Sequence, residues 1–177
     1  MKCNTEFIRN NNSRLPIVIR KATPDDYPAV CALEEMEFAV HQTARPDYFA
    51  SPEGSYTKEE FAELLSHPCP VCWVAVYKGA IVGLCFGKIE KTPDNPIFQS
   101  RVVAFIQDLI TQPEYRGKGV ATALMEKAQE QAILEHAVSM ELCVWNFNRN
   151  AVQLYEKMGM KVQYYHMEKS LTSHEGE

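Results

Sequence analysis

No apolar run in this chain approaches the length needed to cross a bilayer, which excludes a membrane-spanning helix. The stretch through about Leu15, with Asn10-Asn11-Asn12-Ser13 inside it, lacks the apolar centre of a secretory signal, so residues 1–15 read as a frayed arm. No Pro/Gly/Ser-rich linker and no internal repeat divides the rest. With 177 residues, 46% of them hydrophobic, residues 16–177 are expected to form a single globular domain with a sizeable core. The five histidines show no HExxH or other ligand spacing, and among six cysteines one CxxC pair, Cys69-Pro70-Val71-Cys72, stands without a second. No metal site is expected from them. Six cysteines without a secretory signal suggest a reducing, cytoplasmic setting. A formal charge of −5 argues against non-specific nucleic-acid binding and suits a cationic partner.

What the chain does have is Arg116-Gly117-Lys118-Gly119-Val120-Ala121, placed between an apolar run and an amphipathic segment. A strand that hands over to a helix through such a turn presents unpaired N–H groups and the positive end of a helix dipole, and glycines let an anion approach the backbone. The glycine turn lacks the terminal Ser/Thr of a Walker loop, which sets aside a nucleotide triphosphatase. The run before it, Val102 to Ile106, continues after Gln107-Asp108 as Leu109-Ile110-Thr111 and predicts one long, mostly buried strand. Ala121, Leu124, Met125, Ala128 and Ala132 then recur at helical spacing. Met140 to Trp145 predicts a further strand, Asn146 to Asn150 a polar break, and about Ala151 to Met158 a helix stopped by Gly159. Met160 to Leu171 alternates loosely enough to predict a final strand.

The order strand, glycine turn, helix, strand, asparagine loop and tyrosine-bearing helix resembles the GNAT superfamily of acetyl-CoA-dependent N-acetyltransferases. Two motifs carry the resemblance. Arg116 to Ala121 is similar to the Q/R-x-x-G-x-G/A pyrophosphate loop, with Ala121 at the last position. Asn148-Arg149-Asn150-Ala151-Val152-Gln153-Leu154-Tyr155-Glu156-Lys157-Met158-Gly159-Met160 is similar to N-x-x-A-x-x-L-Y-x-K-x-G-F, with Met160 for Phe. The resemblance implies an α/β (α+β) GNAT fold, a mixed central sheet flanked by about four helices. It also implies acetyl-CoA as co-substrate, and members are commonly homodimers.

The front half suits that arrangement. Thr23-Pro24-Asp25-Asp26 starts a helix whose stripe is Val30, Leu33, Met36 and Val40 and whose end is expected near His41. Thr57-Lys58-Glu59-Glu60 reads as a capping box ahead of Phe61, Leu64 and Leu65. Val71 to Tyr77 and Ile81 to Glu90, joined by Lys78-Gly79-Ala80, predict a hairpin.

Acetyl transfer to an amine sets the chemical demands. An alkyl ammonium has a pKa of roughly 10, so a proton must leave before nitrogen attacks. Asp108, a carboxylate in an otherwise apolar strand, is the candidate base or ammonium contact, with a structural carboxylate as the alternative. Tyr155 matches the family tyrosine that protonates the departing sulfur, and packing on a helix face is its other reading. By the same resemblance Leu109, Ile110 and Thr111 follow the pantetheine arm. Arg116, Gly117, Lys118, Gly119, Val120, Ala121 and Thr122 meet the pyrophosphate, and Asn148 lies near the cofactor or serves as an N-cap. His41, Asp47, Tyr48, Asp108, Trp145 and Asn146 border the acceptor side. Gln107 stands where members that bind polyamines carry a further acid, so that specificity is not implied. Cys143 has no histidine beside it in sequence, and direct transfer in a ternary complex needs no acyl-enzyme. The reading is an N-acetyltransferase acting on a small primary amine. Its alternatives are a peptide, protein N-terminal or lysine acetyltransferase, and a non-catalytic acyl-CoA sensor.

Overall fold

A computed structural model describes residues 15–50 and 56–171. The expected arm, apart from Leu15, lies outside the described residues. The chain divides into two compact units, Met1–Cys143 and Val144–Glu177.

The first unit is built on five strands in the order β1-β2-β3-β4-β5: β1 Val18–Lys21, β2 Pro70–Tyr77, β3 Ala80–Lys91, β4 Val102–Thr111 and β5 Ser139–Leu142. The first three pairings are antiparallel and β4–β5 is parallel. A parallel pair needs a crossover, which the helix α3, Val120–Leu134, supplies. The β2–β3 turn is tighter than the sequence predicts. Ala80 already pairs with Tyr77, and the two residues between, Lys78 at φ 49° and Gly79 at φ 83°, take the left-handed conformation that matches strand twist.

Helix α1, Tyr27–Ala44, runs about a turn past the expected stop at His41. Ahead of it the Asp26 carboxylate accepts from Thr23 N–H at 2.7 Å and holds Arg20 through two bonds of 2.7 Å, fixing the chain's exit from β1. Helix α2, Lys58–Ser66, opens on the predicted capping box: Glu60 N–H donates to Thr57 Oγ1 at 3.1 Å, and Thr57 N–H donates to Glu60 Oε2 at 2.7 Å. Val30, Leu33 and Phe61 from these helices pack on Cys72, Val74, Leu84, Phe86 and Ile110 of the sheet. Each large apolar side chain so buried contributes roughly 1.5–3 kcal/mol. The α3 residues Val120, Leu124 and Ala128 are also buried.

One irregularity in β4 decides what the sheet presents. Phe86 opposes Asp108, but Gly87 opposes Ile106, so Gln107 is an extra residue in β4, a bulge. Side chains alternate along a strand, and one inserted residue exchanges the faces of everything beyond it. Asp108 and Ile110 therefore share the face of Leu84 and Phe86, beneath α1 and α2. Without the bulge Asp108 would lie on the other side. Gly87 permits this, because a Cβ there would collide with the Phe105 carbonyl oxygen.

The second unit contains helix α4, Arg149–Lys157. Asn148 Oδ1 accepts from Ala151 N–H at 3.2 Å and caps its start. At its end Gly159, φ 85°, donates to Glu156 O at 2.9 Å while Met160 N–H donates to Tyr155 O at 3.0 Å, a Schellman closure. The final strand predicted over Met160 to Leu171 is absent: this stretch has no regular structure and residues 161–171 are exposed. Neither parity of the sequence is uniformly apolar there, since Lys161, Gln163 and Lys169 share one and His166 and Glu168 the other, so neither face gains from burial. The predicted strand Met140 to Trp145 likewise keeps its ladder only through Leu142.

Candidate active site

At the end of β4 the chain makes a short turn, Pro113–Tyr115, and Arg116 Nε donates back to Thr111 O at 3.1 Å. Gly117 follows at φ 69°, and Gly119, at φ 85° and ψ 6°, forms the N-cap of α3. Left-handed backbone at these points favours glycine. Gly119 has no side chain with which to cap the helix, so the first-turn N–H groups of Val120, Ala121 and Thr122 lack the side-chain acceptor that Ser or Asp would provide. A Cβ placed on Gly117 would meet nothing within 4 Å, leaving open space beside the loop. Thr111 Oγ1 is buried without a hydrogen-bond partner. Lys118 Nζ lies 5.4 Å from the centroid of the Tyr115 ring, and Tyr115 meets Tyr77 edge-on at 5.7 Å. Open amides, two cationic side chains and a helix dipole make this corner fit a phosphate-bearing ligand. Ile110 buries its side chain in the core, so only its backbone could serve such a ligand.

On the α1–α2 face, Asp108 accepts a hydrogen bond from Tyr56 Oη at 2.9 Å. Tyr56 is itself anchored to α1: its carbonyl accepts from Tyr27 Oη at 3.0 Å and from Cys31 Sγ at 3.7 Å. Burial raises the Asp108 carboxyl above the usual range; the Tyr56 bond pulls it back, Glu37 raises it and His41 lowers it. Burial, then Asp108 and its hydrogen bond, keep the Tyr56 phenol protonated and thus a donor. Glu34, on α1, is 7% exposed and its Oε1 has no hydrogen-bond partner. Burial, with the charges of Asp108 and Glu37 added, pushes its carboxyl up to about 9. Glu34 therefore keeps its proton at neutral pH. Glu37 Oε1 lies 3.6 Å from His41 Nε2, one turn on.

Of the acceptor-side residues expected from sequence, His41 is the one that bears electrostatically on Asp108; it also stacks on Phe49 at 5.3 Å. Asp47 pairs with Arg45 at 2.7 Å, and the exposed Tyr48 has the Arg45 guanidinium 5.5 Å from its ring centroid. Trp145, Asn146, Asn148 and Tyr155 belong to the second unit, where Trp145 stacks on Phe147 at 5.7 Å and Tyr155 is half-buried on α4. Gln107, exposed at the bulge, lines a cleft of about 210 Å³ with Leu64, His67, Gly87 and Lys88. Glu34, Glu37 and Tyr56 were not singled out by sequence reasoning. The first two had a signal: with His41 they recur at spacings of three and four, which places them on one helix face. Tyr56 had none, since it reaches Asp108 across 52 residues. Cys72 belongs to the core, where burial pushes its thiol up to about 12.

Comparison with known proteins places these features. Residues 37–160 match the acetyltransferase (GNAT) family. The thialysine N-epsilon-acetyltransferase of Sus scrofa is 32% identical over 57 residues, 32% of this chain and 34% of that protein, so the chain spans about a third of that relative's length. An uncharacterized N-acetyltransferase of Mycobacterium bovis is 28% identical over 141 residues, 79% of this chain and 85% of that one. Among solved structures, a mutant BH1408 protein from Bacillus halodurans superimposes with a TM-score of 0.84 at 27% identity, covering 88% of this chain and 99% of that one. With a family match over most of the chain, on a mixed sheet whose fourth strand runs through a glycine turn into a helix, this chain belongs to the acetyltransferase (GNAT) family.

Proposed function

We propose that this enzyme moves the acetyl group of acetyl-CoA to a primary amine of a small molecule by direct attack. The observation that carries the proposal is the half-buried Asp108, held by Tyr56 on the same strand that ends in the glycine turn. Acetyl-CoA, when bound, supplies the activated acyl group. The amides of Gly117 to Thr122, with Arg116 and Lys118, are the groups suited to its phosphates, and the backbone of Leu109 to Thr111 to its pantetheine arm.

Asp108 does two things to an incoming amine. Its charge attracts the ammonium, and its raised pKa brings it nearer to that of the nitrogen, so it takes the proton more readily than an exposed aspartate would. Tyr56 keeps the other carboxylate oxygen engaged, which orients Asp108. Glu34, carrying its own proton, does not compete for this one. On the leaving side, Tyr155 Oη is the proposed proton donor; Asn148 caps its helix and sets its position along α4. His41, Asp47, Tyr48, Trp145 and Asn146 are proposed to border the acceptor, with His41 supported by its bearing on Asp108.

The test is thiol release from acetyl-CoA with a panel of amines, amino acids, aminoglycosides and peptides. Turnover of a small amine with kcat/KM well above that of any peptide is the expected result. Tight acetyl-CoA binding with no turnover of any acceptor would replace the enzyme reading with a sensor.

A further inference from the structure

A second group of cations stands beside the glycine turn, and it comes from another part of the chain. Gly83, near the start of β3, pairs with Thr111 at the end of β4, so the β2–β3 turn and the turn leaving β4 share one end of the sheet. The chain leaving β4 is tied to β3 there: Gln112 N–H donates to Val82 O at 3.0 Å, and Gln112 Nε2 donates to Ile81 O at 3.1 Å. That tie sets the Tyr115 ring against the Tyr77 ring, with centroids 5.7 Å apart and planes at 63°. Each ring holds an ammonium. Lys78 Nζ lies 5.3 Å from the Tyr77 centroid, and Lys118 Nζ lies 5.4 Å from that of Tyr115. A ring steadies an ammonium without neutralising it, as a carboxylate would. Among the described residues no carboxylate pairs with Lys78 or with Arg116. In a chain of formal charge −5, cations left in this state mark a place for an anion from outside.

We propose that Lys78, together with Lys118, receives the 3′-phosphate of coenzyme A, so that the protein distinguishes the coenzyme from its 3′-dephospho form. The inference rests on the acetyl-CoA reading above and adds to it a residue outside the glycine turn. The coenzyme carries two kinds of anion. Its diphosphate, esterified at both ends, suits the row of amides at the first turn of α3. Its 3′-phosphate is a terminal monoester with about −1.5 to −2 charge at pH 7 and three open oxygens, which suits ammonium groups arriving from separate sides. Lys78 and Lys118 arrive in that way, from two turns whose spacing the Tyr77–Tyr115 contact fixes. Lys78 is exposed, and its backbone is held in a two-residue turn with Gly79 at φ 49° and 83°, so the ammonium is presented from a fixed base. A Cβ on Gly79 or on Gly117 would meet nothing within 4 Å, so both turns border open space.

The experiment measures, by calorimetry on the full chain, the affinities for coenzyme A and for 3′-dephospho-coenzyme A, which differ in that phosphate alone. Two ion pairs at an accessible site predict a Kd about tenfold lower for coenzyme A, with a ratio that shrinks as salt is added. Lys78→Asn removes the ammonium and keeps the turn, because Asn-Gly favours the same left-handed backbone. It is expected to reduce the ratio about threefold or more while the affinity for the dephospho form stays as it was. Lys78→Arg, which restores the charge, should restore the ratio. Equal affinities in the unmodified protein, or a ratio that Lys78→Asn leaves unchanged, overturns the proposal and leaves the diphosphate reading intact. Equal loss of affinity for both ligands in Lys78→Asn overturns it as well, since that would make Lys78 a structural residue. If the unmodified chain binds neither ligand, the coenzyme reading fails and this one with it.

Discussion

Replacing Glu34 with Gln should stabilise the protein, and by an amount that grows with pH. Burial beside Asp108 and Glu37 moves the Glu34 carboxyl from an ordinary 4.5 up to about 9 in the folded chain. Between those limits the folded state holds a proton that the unfolded state has lost, so stability is full below pH 4.5 and drains away as pH rises towards 9. Each pH unit in that window corresponds to about 1.36 kcal/mol. At pH 7 the accumulated loss is on the order of 3 kcal/mol, and Gln, neutral at every pH and of the same size, does not suffer it. For a chain of this length each kcal/mol moves Tm by roughly 2–4 °C, so the variant should melt about 10 °C higher at pH 7. The assay is thermal unfolding by circular dichroism of both proteins from pH 5 to pH 9. The melting temperatures should converge at the acid end and separate steadily above it. A difference that does not change with pH, or one that favours the unmodified protein at pH 8, would refute the argument that Glu34 is buried, neutral and unpaired.

Further outcomes are expected from the rest of the site. Gly119→Val places a β-branched side chain at φ 85° and over the first amides of α3; acetyl-CoA binding by calorimetry should weaken at least tenfold, and unchanged affinity would remove the phosphate role of this corner. Asp108→Asn should lower kcat by about 10²–10⁴, most at pH values where the amine is protonated; a loss equal at high pH would mark structural damage instead. Tyr56→Phe removes the bond that pulls the Asp108 pKa down, so the acid limb of the kcat/KM profile should move to higher pH, and a limb that stays in place would show that the phenol does not tune the carboxylate. Tyr155→Phe should cut turnover while sparing acetyl-CoA affinity; equal rates across pH would exclude the phenol as proton donor.

Much of the architecture is written locally. The capping box at Thr57, the Asn148 cap and the Gly159 stop each depend on a few adjacent residues, and each forms as the sequence predicts. The long run over Val102–Thr111 is one strand because ten residues of suitable composition suffice to say so. The stretch 160–171 shows the limit of that kind of inference: loose alternation is not enough without a ladder partner and one apolar face.

The chain by itself therefore determined its family, its glycine turn and the presence of a carboxylate in β4, all of which are carried by short-range spacing. Only the tertiary structure decided where that carboxylate points. A single extra residue, Gln107, opposite a pair of β3 residues turns Asp108 towards α1 and α2, and that register depends on Gly87 meeting the Phe105 carbonyl across the ladder. The company Asp108 keeps, Tyr56 from 52 residues away and Glu34 from α1, follows from that turn and from helix packing, which no periodicity along one segment encodes.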